Sequence, residues 1–332
     1  MNFCNYTFVC MTKCIKLSRL KVFGIFVLLL LIMGSSWTAL YSLKHRELKT
    51  LLPPDMCSVT RQSSQDRKPR MRIMCIILTS GKALEKMNAV NKTWSKRCDK
   101  KLFMYSSAVK SPVSPYTIHL PVLESRGHLT GKVRKTLEHI YHQCRDSFDW
   151  ILKSDDDTYV IIENLRHLLS DKDPQKAAYL GYRLNAFGDN FLHLPNGYMS
   201  GGAGYVLSSR ALHDVVHKGF KTGACKEVGG EEDAEMGKCL DASGVPMLST
   251  LAEDGKETFH PQDLHTHLTL NNDTVLREPP RQERNNGPWG ESCCSRYPVS
   301  FHWVKPNEMY MFEYLIYNIS VHRVNTERPN AG

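Results

Sequence analysis

A short apolar segment followed almost at once by three acidic residues constrains this chain more than any other feature. Residues 150–152 are apolar, and Asp155, Asp156 and Asp157 come two residues later. The pattern predicts a buried strand that delivers carboxylates to the edge of a sheet, followed by a helix over about 160–169. Three adjacent negative charges repel one another and are costly to order unless a positive group binds them.

Two interpretations of this acid cluster stay open at the level of its residues. A divalent metal would neutralise the acids, and a metal at the carboxyl end of a parallel strand can hold a diphosphate there. That arrangement is expected of a glycosyltransferase that uses a nucleotide sugar. A solvated turn is the alternative, because a helix dipole favours acidic residues at its N-terminus without any metal. The position directly after an apolar strand gives the two interpretations nearly equal weight.

The length and charge of the chain limit the classes of protein to which it can belong. Without the N-terminal region about 280 residues remain, which suits one large α/β domain. The net charge of +9 is moderate, and a basic balance fits nucleic acid, an anionic membrane surface or an anionic small substrate. The sequence has no dense Lys/Arg block, no zinc-finger spacing and no RNA-binding aromatic motif. We therefore expect no nucleic-acid partner.

The N-terminal part predicts a membrane anchor. Residues 22–43 carry no charge and are long enough to span a bilayer, with Trp37 and Tyr41 where interfacial aromatic residues belong. A cleaved signal peptide is the alternative, but the apolar core is long for one and lacks a clear cleavage site. We divide the chain into a cytoplasmic tail (1–21), a transmembrane signal-anchor (22–43), a stem (44–70) and a lumenal domain (71–325).

The orientation of this anchor follows from the residues behind it. Basic residues flank the anchor on both sides, so the positive-inside rule discriminates weakly. Acceptor sequons for N-glycosylation begin at Asn91, Asn272 and Asn318. Eight of the eleven cysteines also follow the anchor, which fits an oxidising lumen better than the cytosol. We expect a single-pass type II protein with its globular part in the secretory lumen.

Strands and helices alternate beyond the stem. The spacing predicts strands over 72–79 and 101–106, a short strand at 117–120, and helices over 82–94 and 129–144. This order indicates an open, doubly wound, Rossmann-like α/β sheet. After about Tyr179 the pattern becomes irregular and Gly-rich. We therefore expect the first half to bind a nucleotide and the second half to build the acceptor side.

Three later motifs each allow a structural and a functional interpretation. The Gly-rich stretch 197–208 either packs a tight loop or lets a ligand approach the backbone closely. The acids at 231–233 either cap a helix or include a carboxylate that removes a proton from a sugar hydroxyl. His302, between two aromatic residues, is either a satisfied core histidine or an imidazole that completes a metal site.

Taken together, these motifs resemble one family, the core 1 β1,3-galactosyltransferases within the fringe-like β1,3-glycosyltransferases. The matching segments are TWSKRC at 93–98, KSDDDTYV at 153–160, YMSGGAGYVLS at 198–208, EDAEMGKC at 232–239, GKETFHP at 255–261, CCS at 293–295 and VSFH at 299–302. They run in the family's order along nearly the whole predicted lumenal part.

The resemblance implies a GT-A fold and a Mn²⁺-dependent, inverting transfer of galactose from UDP-galactose. The acceptor would be the 3-hydroxyl of GalNAc linked to Ser or Thr of glycoproteins, in the Golgi membrane or between the ER and the Golgi. A homodimer is among the assemblies that the resemblance leaves open. A related transferase with another donor or acceptor, or an inactive chaperone-like paralogue, is the alternative; the intact acid triplet argues for catalysis.

The resemblance also assigns roles to residues. Asp155, Asp157 and His302 would hold Mn²⁺, and Asp233 would be the catalytic base, with Glu232 as the neighbouring alternative. The expected nucleotide-sugar side comprises Thr79, Trp94, Arg97, Lys132 and Asp156. The expected acceptor side comprises Tyr198, Gly201, Gly202 and Trp289.

Two further expectations concern the cysteine pairs and the positions at which this chain differs from the family pattern. The resemblance implies the pairs Cys75–Cys98 and Cys225–Cys239, whereas Cys293 and Cys294 would either bond to each other or each bond elsewhere. Ala234 and the charged Glu235 stand where the family motif continues with an apolar residue. Residues 270–290 also lack the aromatic cluster expected of typical members, so the acceptor side is where this chain departs most.

Overall fold

The structure is a computed structural model that describes residues 57, 70–106, 116–185, 194, 196–269 and 290–320. The chain divides into two units, Met1–Leu51 and Leu52–Gly332, and the first lies outside the described residues. The predicted anchor at 22–43 and Trp289 also lie outside them. Within the described residues, no helix has the length and apolar character needed to cross a membrane.

A mixed six-stranded sheet carries the site. The strands of the described residues are β1 (Ile73–Leu78), β2 (Lys100–Ser106), β3 (Thr117–Leu120), β4 (Trp150–Asp155), β5 (Tyr159–Val160), β6 (Tyr179–Gly181), β7 (Arg183–Leu184), β8 (Tyr198–Met199), β9 (Tyr205–Ser208), β10 (Phe259–His260) and β11 (Ser300–Phe301). The main sheet has the order β3-β2-β1-β4-β9-β6. Its first four strands are parallel, whereas β9 runs antiparallel to both β4 and β6.

The register of β1 and β4 explains where the acids emerge. Every residue of β1 is buried, as its near-continuous apolar sequence predicts for a central parallel strand. Leu78 at the end of β1 pairs with Asp155 at the end of β4. The next residues of both strands, Thr79 and Asp156, therefore leave the sheet side by side at its carboxyl edge.

Helices pack around these strands. They are α1 (Leu84–Lys92), α2 (Leu129–Cys144), α3 (Ile162–Leu169), α4 (Ser209–His217), α5 (Glu232–Ala242), α6 (Leu264–Thr269) and α7 (Pro306–Tyr317). The prediction for α2 is confirmed at both ends, and its buried residues Val133, Leu137 and Ile140 recur at helical spacing. The helix α1 is shorter than predicted, because a 3-10 turn over Trp94–Arg97 follows it.

Two predictions about the fold are wrong in part. Val160 does not begin a helix: it lies on β5, which pairs with β11, and α3 begins at Ile162. Aromatic and β-branched residues at 158–161 favour this extended pairing. The sheet is mixed rather than Rossmann-like throughout, because β9 and β6 enter it antiparallel. Their antiparallel direction depends on pairing with distant segments, which the local sequence pattern does not indicate.

A second, small sheet brings the C-terminal motif to the acid turn. Its order is β10-β11-β5, with Phe301 opposite Tyr159 in an antiparallel pair. Continuing that register places His302 beside the turn that precedes β5. Beyond it, the backbone N–H of Val304 donates to the carbonyl oxygen of Asp157 at 2.9 Å. Residues about 145 positions apart in sequence therefore become neighbours through two short strands.

Four disulfides lie among the described residues. Cys75–Cys98 and Cys225–Cys239 are the pairs that the resemblance implies. Cys293 and Cys294 bond to each other, which was one of the two alternatives. The fourth joins Cys57 to Cys144, a pair for which the sequence offered no indication.

The Cys75–Cys98 bond should contribute measurably to stability. It closes a loop of 23 residues in sequence separation, and cross-linking such a loop restricts the unfolded chain by about 2–4 kcal/mol. We expect C75A/C98A to lower the free energy of unfolding by about that amount in a denaturant titration. The matched control is C293A/C294A, since adjacent residues enclose no loop. Equal losses in the two variants would contradict the loop-closure explanation.

Candidate active site

The acid turn and the C-terminal motif form one cluster. Asp155 ends β4, and Asp157 lies in the turn that leads to β5. One ligand atom each from Asp155, Asp157 and His302 lie within 4.8 Å of one another. The closest approach is 3.2 Å, between His302 Nε2 and Asp157 Oδ1. Two carboxylates and an imidazole are donors that suit a divalent first-row metal such as Mn²⁺.

The hydrogen bonds of His302 support this use of its ring. Nδ1 of His302 lies 3.2 Å from the carbonyl oxygen of Pro261, which can only accept, so Nδ1 carries a proton. Nε2 then faces Asp157 either with a second proton or with a lone pair that shares a cation with the carboxylate. A metal-ligating histidine commonly donates its other N–H to a backbone carbonyl in this way. The residues therefore fit a metal ion.

The three acids of the turn differ in their surroundings. Burial opposes ionisation of Asp157, but hydrogen bonds with His302 and with Lys86 (2.9 Å) outweigh it and lower the pKa of Asp157 to about 2. Asp156 faces the end of β1, where Thr79 donates a 2.8 Å hydrogen bond to it. Burial is the stronger effect there and raises the pKa of Asp156 to about 6. Asp157 therefore has a much lower pKa than its neighbour Asp156.

The acids at the start of α5 form the other side of the site. Asp233 Oδ2 accepts a 2.9 Å hydrogen bond from the backbone N–H of Gly201, and its Oδ1 accepts one of 2.9 Å from Ala234. Burial raises the pKa of Asp233 above its ordinary value, although these two N–H groups act in the opposite direction. A carboxylate whose pKa is raised while it stays partly accessible suits a general base.

The neighbouring Glu232 is held differently. Its Oε2 lies 2.8 Å from the ammonium of Lys153, and its Oε1 accepts a 2.8 Å hydrogen bond from the Tyr205 hydroxyl. Both oxygens are therefore occupied by the protein, and Glu232 is buried. Of the two adjacent acids, Asp233 is the one with access to a substrate.

Two consecutive glycines join the two sides. A methyl group on Gly201 would lie 3.1 Å from Cβ of Asp233 and 3.1 Å from Oε2 of Glu232. A methyl group on Gly202 would overlap the imidazole ring of His302. The Gly-rich loop therefore contacts the base side through one residue and the metal side through the next. Residues without a side chain therefore suit both positions, because the loop packs against both sides of the site.

All five of the expected nucleotide-side residues lie among the described residues. Thr79 bonds to Asp156, and Lys132 is buried beneath it, 2.9 Å from the carbonyl oxygen of Thr79 and 2.6 Å from Glu124. Trp94 and Arg97 do not join the cluster. Trp94 is fully buried in the core and offers no surface to a nucleotide.

Arg97 is bound by the C-terminal helix instead. Its guanidinium lies 2.7 Å from Glu313 and 3.4 Å from the ring centroid of Tyr317.

On the expected acceptor side, Gly201 and Gly202 line the cluster. Tyr198 is buried, with its Cβ close to where a methyl group on Gly237 of α5 would lie.

Sequence reasoning missed three residues near the cluster. Lys86 of α1 pairs with Asp157, and Lys153 pairs with Glu232. A lysine inside an otherwise apolar strand, two residues before an acid, was a signal for Lys153. Trp303 has a positive φ of 56° and a 56% exposed side chain, and its ring centroid lies 4.5 Å from that of His302. Strained, exposed residues of this kind are concentrated at functional sites.

The departure at Ala234 and Glu235 is accommodated locally. Ala234 is buried in a small cluster with Leu194 and Tyr198. Glu235 is buried as well, but it accepts a 2.7 Å hydrogen bond from the backbone of Lys226 and pairs with Lys238 at 2.9 Å. A buried carboxylate with two such partners is tolerated without any change in the path of α5.

Several known proteins have sequences similar to that of this chain. The family described as Fringe-like matches residues 72–313. Glycoprotein-N-acetylgalactosamine 3-beta-galactosyltransferase 1 of Xenopus laevis is 33% identical over 271 residues, which cover 78% of this chain and 70% of that protein. The chain belongs to the fringe-like family, in its core 1 β1,3-galactosyltransferase group. The matched range contains the acid turn, the glycine loop, the start of α5 and His302.

More distant relatives share part of this range. Beta-1,3-glucosyltransferase of Mus musculus is 27% identical over 55% of this chain and 36% of that protein. Chondroitin sulfate synthase 3 of Homo sapiens is 23% identical over 53% of this chain and 21% of that protein. Among solved structures, the apo form of the bifunctional WbbM glycosyltransferase has a TM-score of 0.39 at 12% identity, over 76% of this chain and 52% of that chain. That likeness is too distant to carry an argument.

Gly202 should be essential to the metal side while the fold survives. In G202A the added methyl group would collide with the His302 ring and move it away from Asp157. We expect Mn²⁺ affinity, measured by the loss of the free-ion EPR signal, to fall about 10–100-fold. The control is G127A, whose methyl group would meet nothing closer than 3.9 Å. Unchanged Mn²⁺ affinity in G202A would show that this contact does not position His302.

Proposed function

We propose that this chain is an inverting β1,3-galactosyltransferase that moves galactose from UDP-galactose to the 3-hydroxyl of GalNAc on Ser or Thr of glycoproteins. The observation that carries the proposal is the meeting of a metal-ligand trio and a carboxylate base across Gly201 and Gly202. The relationship with the Xenopus galactosyltransferase supports the choice of sugar and acceptor. The domain would adopt the GT-A type of glycosyltransferase fold.

The metal side would hold the leaving group. Asp155, Asp157 and His302 would bind Mn²⁺, which when bound would neutralise the charge that develops on the diphosphate. Lys86 lies at the same edge, 2.9 Å from Asp157 and 3.7 Å from Asp156. Its exposed ammonium is better placed to reach a phosphate than the buried Lys132. Thr79 and Asp156, at the ends of β1 and β4, would then line the nucleotide side.

The base side would act on the acceptor. Asp233 takes the proton of the acceptor 3-hydroxyl as that oxygen bonds to the anomeric carbon of galactose. The bond from that carbon to the diphosphate oxygen breaks at the same time, and its electron pair leaves with UDP. Attack from the face opposite the leaving group inverts the configuration. Gly201 holds the base in place through its N–H, 2.9 Å from Asp233 Oδ2.

A Golgi or ER–Golgi location, as a type II membrane protein, belongs to the same proposal. The disulfides among the described residues fit an oxidising lumen. The membrane anchor at 22–43 and a homodimer stay predictions. A related β1,3-transferase with another donor or acceptor is the competing function, and the glucosyltransferase relative makes UDP-glucose the first alternative donor to include in a test.

A donor and acceptor screen tests the proposed function directly. The purified chain with Mn²⁺ should transfer galactose from UDP-galactose to a GalNAc-bearing peptide, and should transfer glucose, GlcNAc or glucuronic acid far more slowly. EDTA should abolish transfer, and added Mn²⁺ should restore it. D157A and H302A should also abolish transfer, because each removes one of three ligand groups. Full activity in EDTA would refute the metal assignment. A preference for another UDP-sugar would favour the competing transferase, and no transfer with any donor would favour a chaperone-like role.

Asp233 should matter for chemistry and little for binding. D233N keeps the size of the side chain and an oxygen that accepts from Gly201, but it cannot take a proton. We expect kcat to fall at least about a hundredfold, with UDP and Mn²⁺ affinity nearly unchanged. The comparison variant E232Q should instead lower thermal stability, because it weakens the buried pair with Lys153. A normal kcat in D233N would mean that another group is the base.

The pH dependence should report the same carboxylate. Transfer requires ionised Asp233, and burial raises its pKa above the ordinary 3.8. The rate kcat/KM should therefore decrease as the pH falls through this raised pKa, with the midpoint above that of an exposed aspartate. The residual activity of D233N should lack this acidic limb. An identical limb in D233N would assign the titration to a different group.

A further inference from the structure

A buried lysine connects the metal side to the base side. Lys153 lies on β4 with a side chain that is 1% exposed. Its ammonium lies 2.9 Å from Asp155 Oδ1, 2.8 Å from Glu232 Oε2 and 3.2 Å from the carbonyl oxygen of Gly201. An ammonium has three N–H donors. All three are used within the protein, so Lys153 has no donor left for a substrate.

The counter-ion of Lys153 is itself fixed from a second direction. The Tyr205 hydroxyl donates a 2.8 Å hydrogen bond to the other oxygen of Glu232. Tyr205 lies on β9 directly opposite Lys153 in the antiparallel register. Two neighbouring strands of the sheet therefore hold the two oxygens of Glu232, one through Lys153 and one through Tyr205.

Gly201 connects Lys153 to Asp233, the proposed base, through two hydrogen bonds. Gly201 accepts from Lys153 through its carbonyl oxygen and donates to Asp233 through its N–H. On the opposite side, Lys153 bonds the carboxylate of Asp155. One ammonium thus contacts a member of the metal-ligand trio and the residue that holds the base.

We propose that Lys153 is a positioning residue that fixes the spacing between the metal side and the base side, and that Glu232 is its counter-ion and takes no part in proton transfer. The inference rests on the proposed function, since it needs Asp155 beside the metal and Asp233 as the base. The competing explanation is a buried ion pair that contributes only to stability. The two explanations differ in whether function returns when stability is restored.

A charge-balanced double variant separates them. Lys153→Met alone leaves Glu232 buried without its cation, and Glu232→Gln alone leaves Lys153 with one carboxylate fewer. Each should lower the melting temperature by at least about 5 °C. In K153M/E232Q one positive and one negative charge are removed together, so the net charge of the cluster is unchanged. We expect its melting temperature to return most of the way to the wild-type value.

Function should not return with it. Without the ammonium, Asp155 and Gly201 lose their common partner. We expect Mn²⁺ affinity, measured by EPR titration of the purified full-length chain, to stay about 10–100-fold below the wild type. The value of kcat should stay about 10–100-fold lower, with the KM for the acceptor peptide changed much less. Recovery of both Mn²⁺ affinity and kcat together with stability would overturn the proposal.

A gentler variant keeps the test decisive if the double variant does not fold. Tyr205→Phe removes only the hydroxyl that fixes Glu232 and alters no charge. We expect kcat to fall several-fold, about the effect of loosening one hydrogen bond behind the site, with KM nearly unchanged. The matched control is Tyr141→Phe, which also deletes a buried tyrosine hydroxyl, bonded to His217 at 2.8 Å on α4. Equal kcat values for the two variants would overturn the proposal.

The wild-type protein distinguishes failure of this inference from failure of the proposed function. If the wild type neither binds Mn²⁺ nor transfers galactose, the proposed function fails, and with it the premise of the inference. If the wild type does both, and K153M/E232Q and Tyr205→Phe match it, only the positioning role of Lys153 fails.

Discussion

Repulsion among carboxylates is the constraint on which the rest of the site depends. Five acids, Asp155 to Asp157 with Glu232 and Asp233, lie close to one another at a largely buried edge of the sheet. Ionised carboxylates in such a place are destabilising unless cations or N–H groups compensate them. The structure supplies this compensation unequally. Lys153 pairs with Glu232, whereas Lys86 and His302 contact Asp157. Two backbone N–H groups donate to Asp233. The unequal compensation separates the acids into different chemical roles.

The mixed sheet makes this division of labour possible. A parallel strand in the place of β9 would carry its preceding loop to the opposite end of β4. Because β9 is antiparallel to β4, the glycine loop before β9 lies at the same edge as the acids that end β4. The short pair of β5 and β11 then adds His302 from a distant part of the chain. The antiparallel strand β9 and the antiparallel pair of β5 and β11 therefore assemble the site.

The sequence predicted those parts of the molecule that local patterns determine. Long periodic segments such as α2, the apolar run of β1 and the acids that end β4 were visible because each has its own spacing. The ordered motifs of the family resemblance also placed Asp155, Asp157, His302 and Asp233 among the candidates, and the structure brings them to one edge.

What could not be predicted depends on pairing between distant segments. Strands of two or three residues, such as β5 and β6, have no periodicity of their own and exist because a partner strand is present. The motif around Trp94 and Arg97 looked like a binding segment, but one residue fills the core and the other binds Glu313. Lys153 was overlooked because a charged residue in a strand has meaning only once its counter-ions are known.

The two glycines of the loop also limit how this architecture can diverge. A methyl group on Gly201 would be tight against Asp233 and Glu232, at 3.1 Å from each, and one on Gly202 would overlap the His302 ring. A larger side chain at either position would therefore disturb one side of the candidate site through a loop that the other side shares. New sugar or acceptor preferences must arise in segments that contact neither glycine.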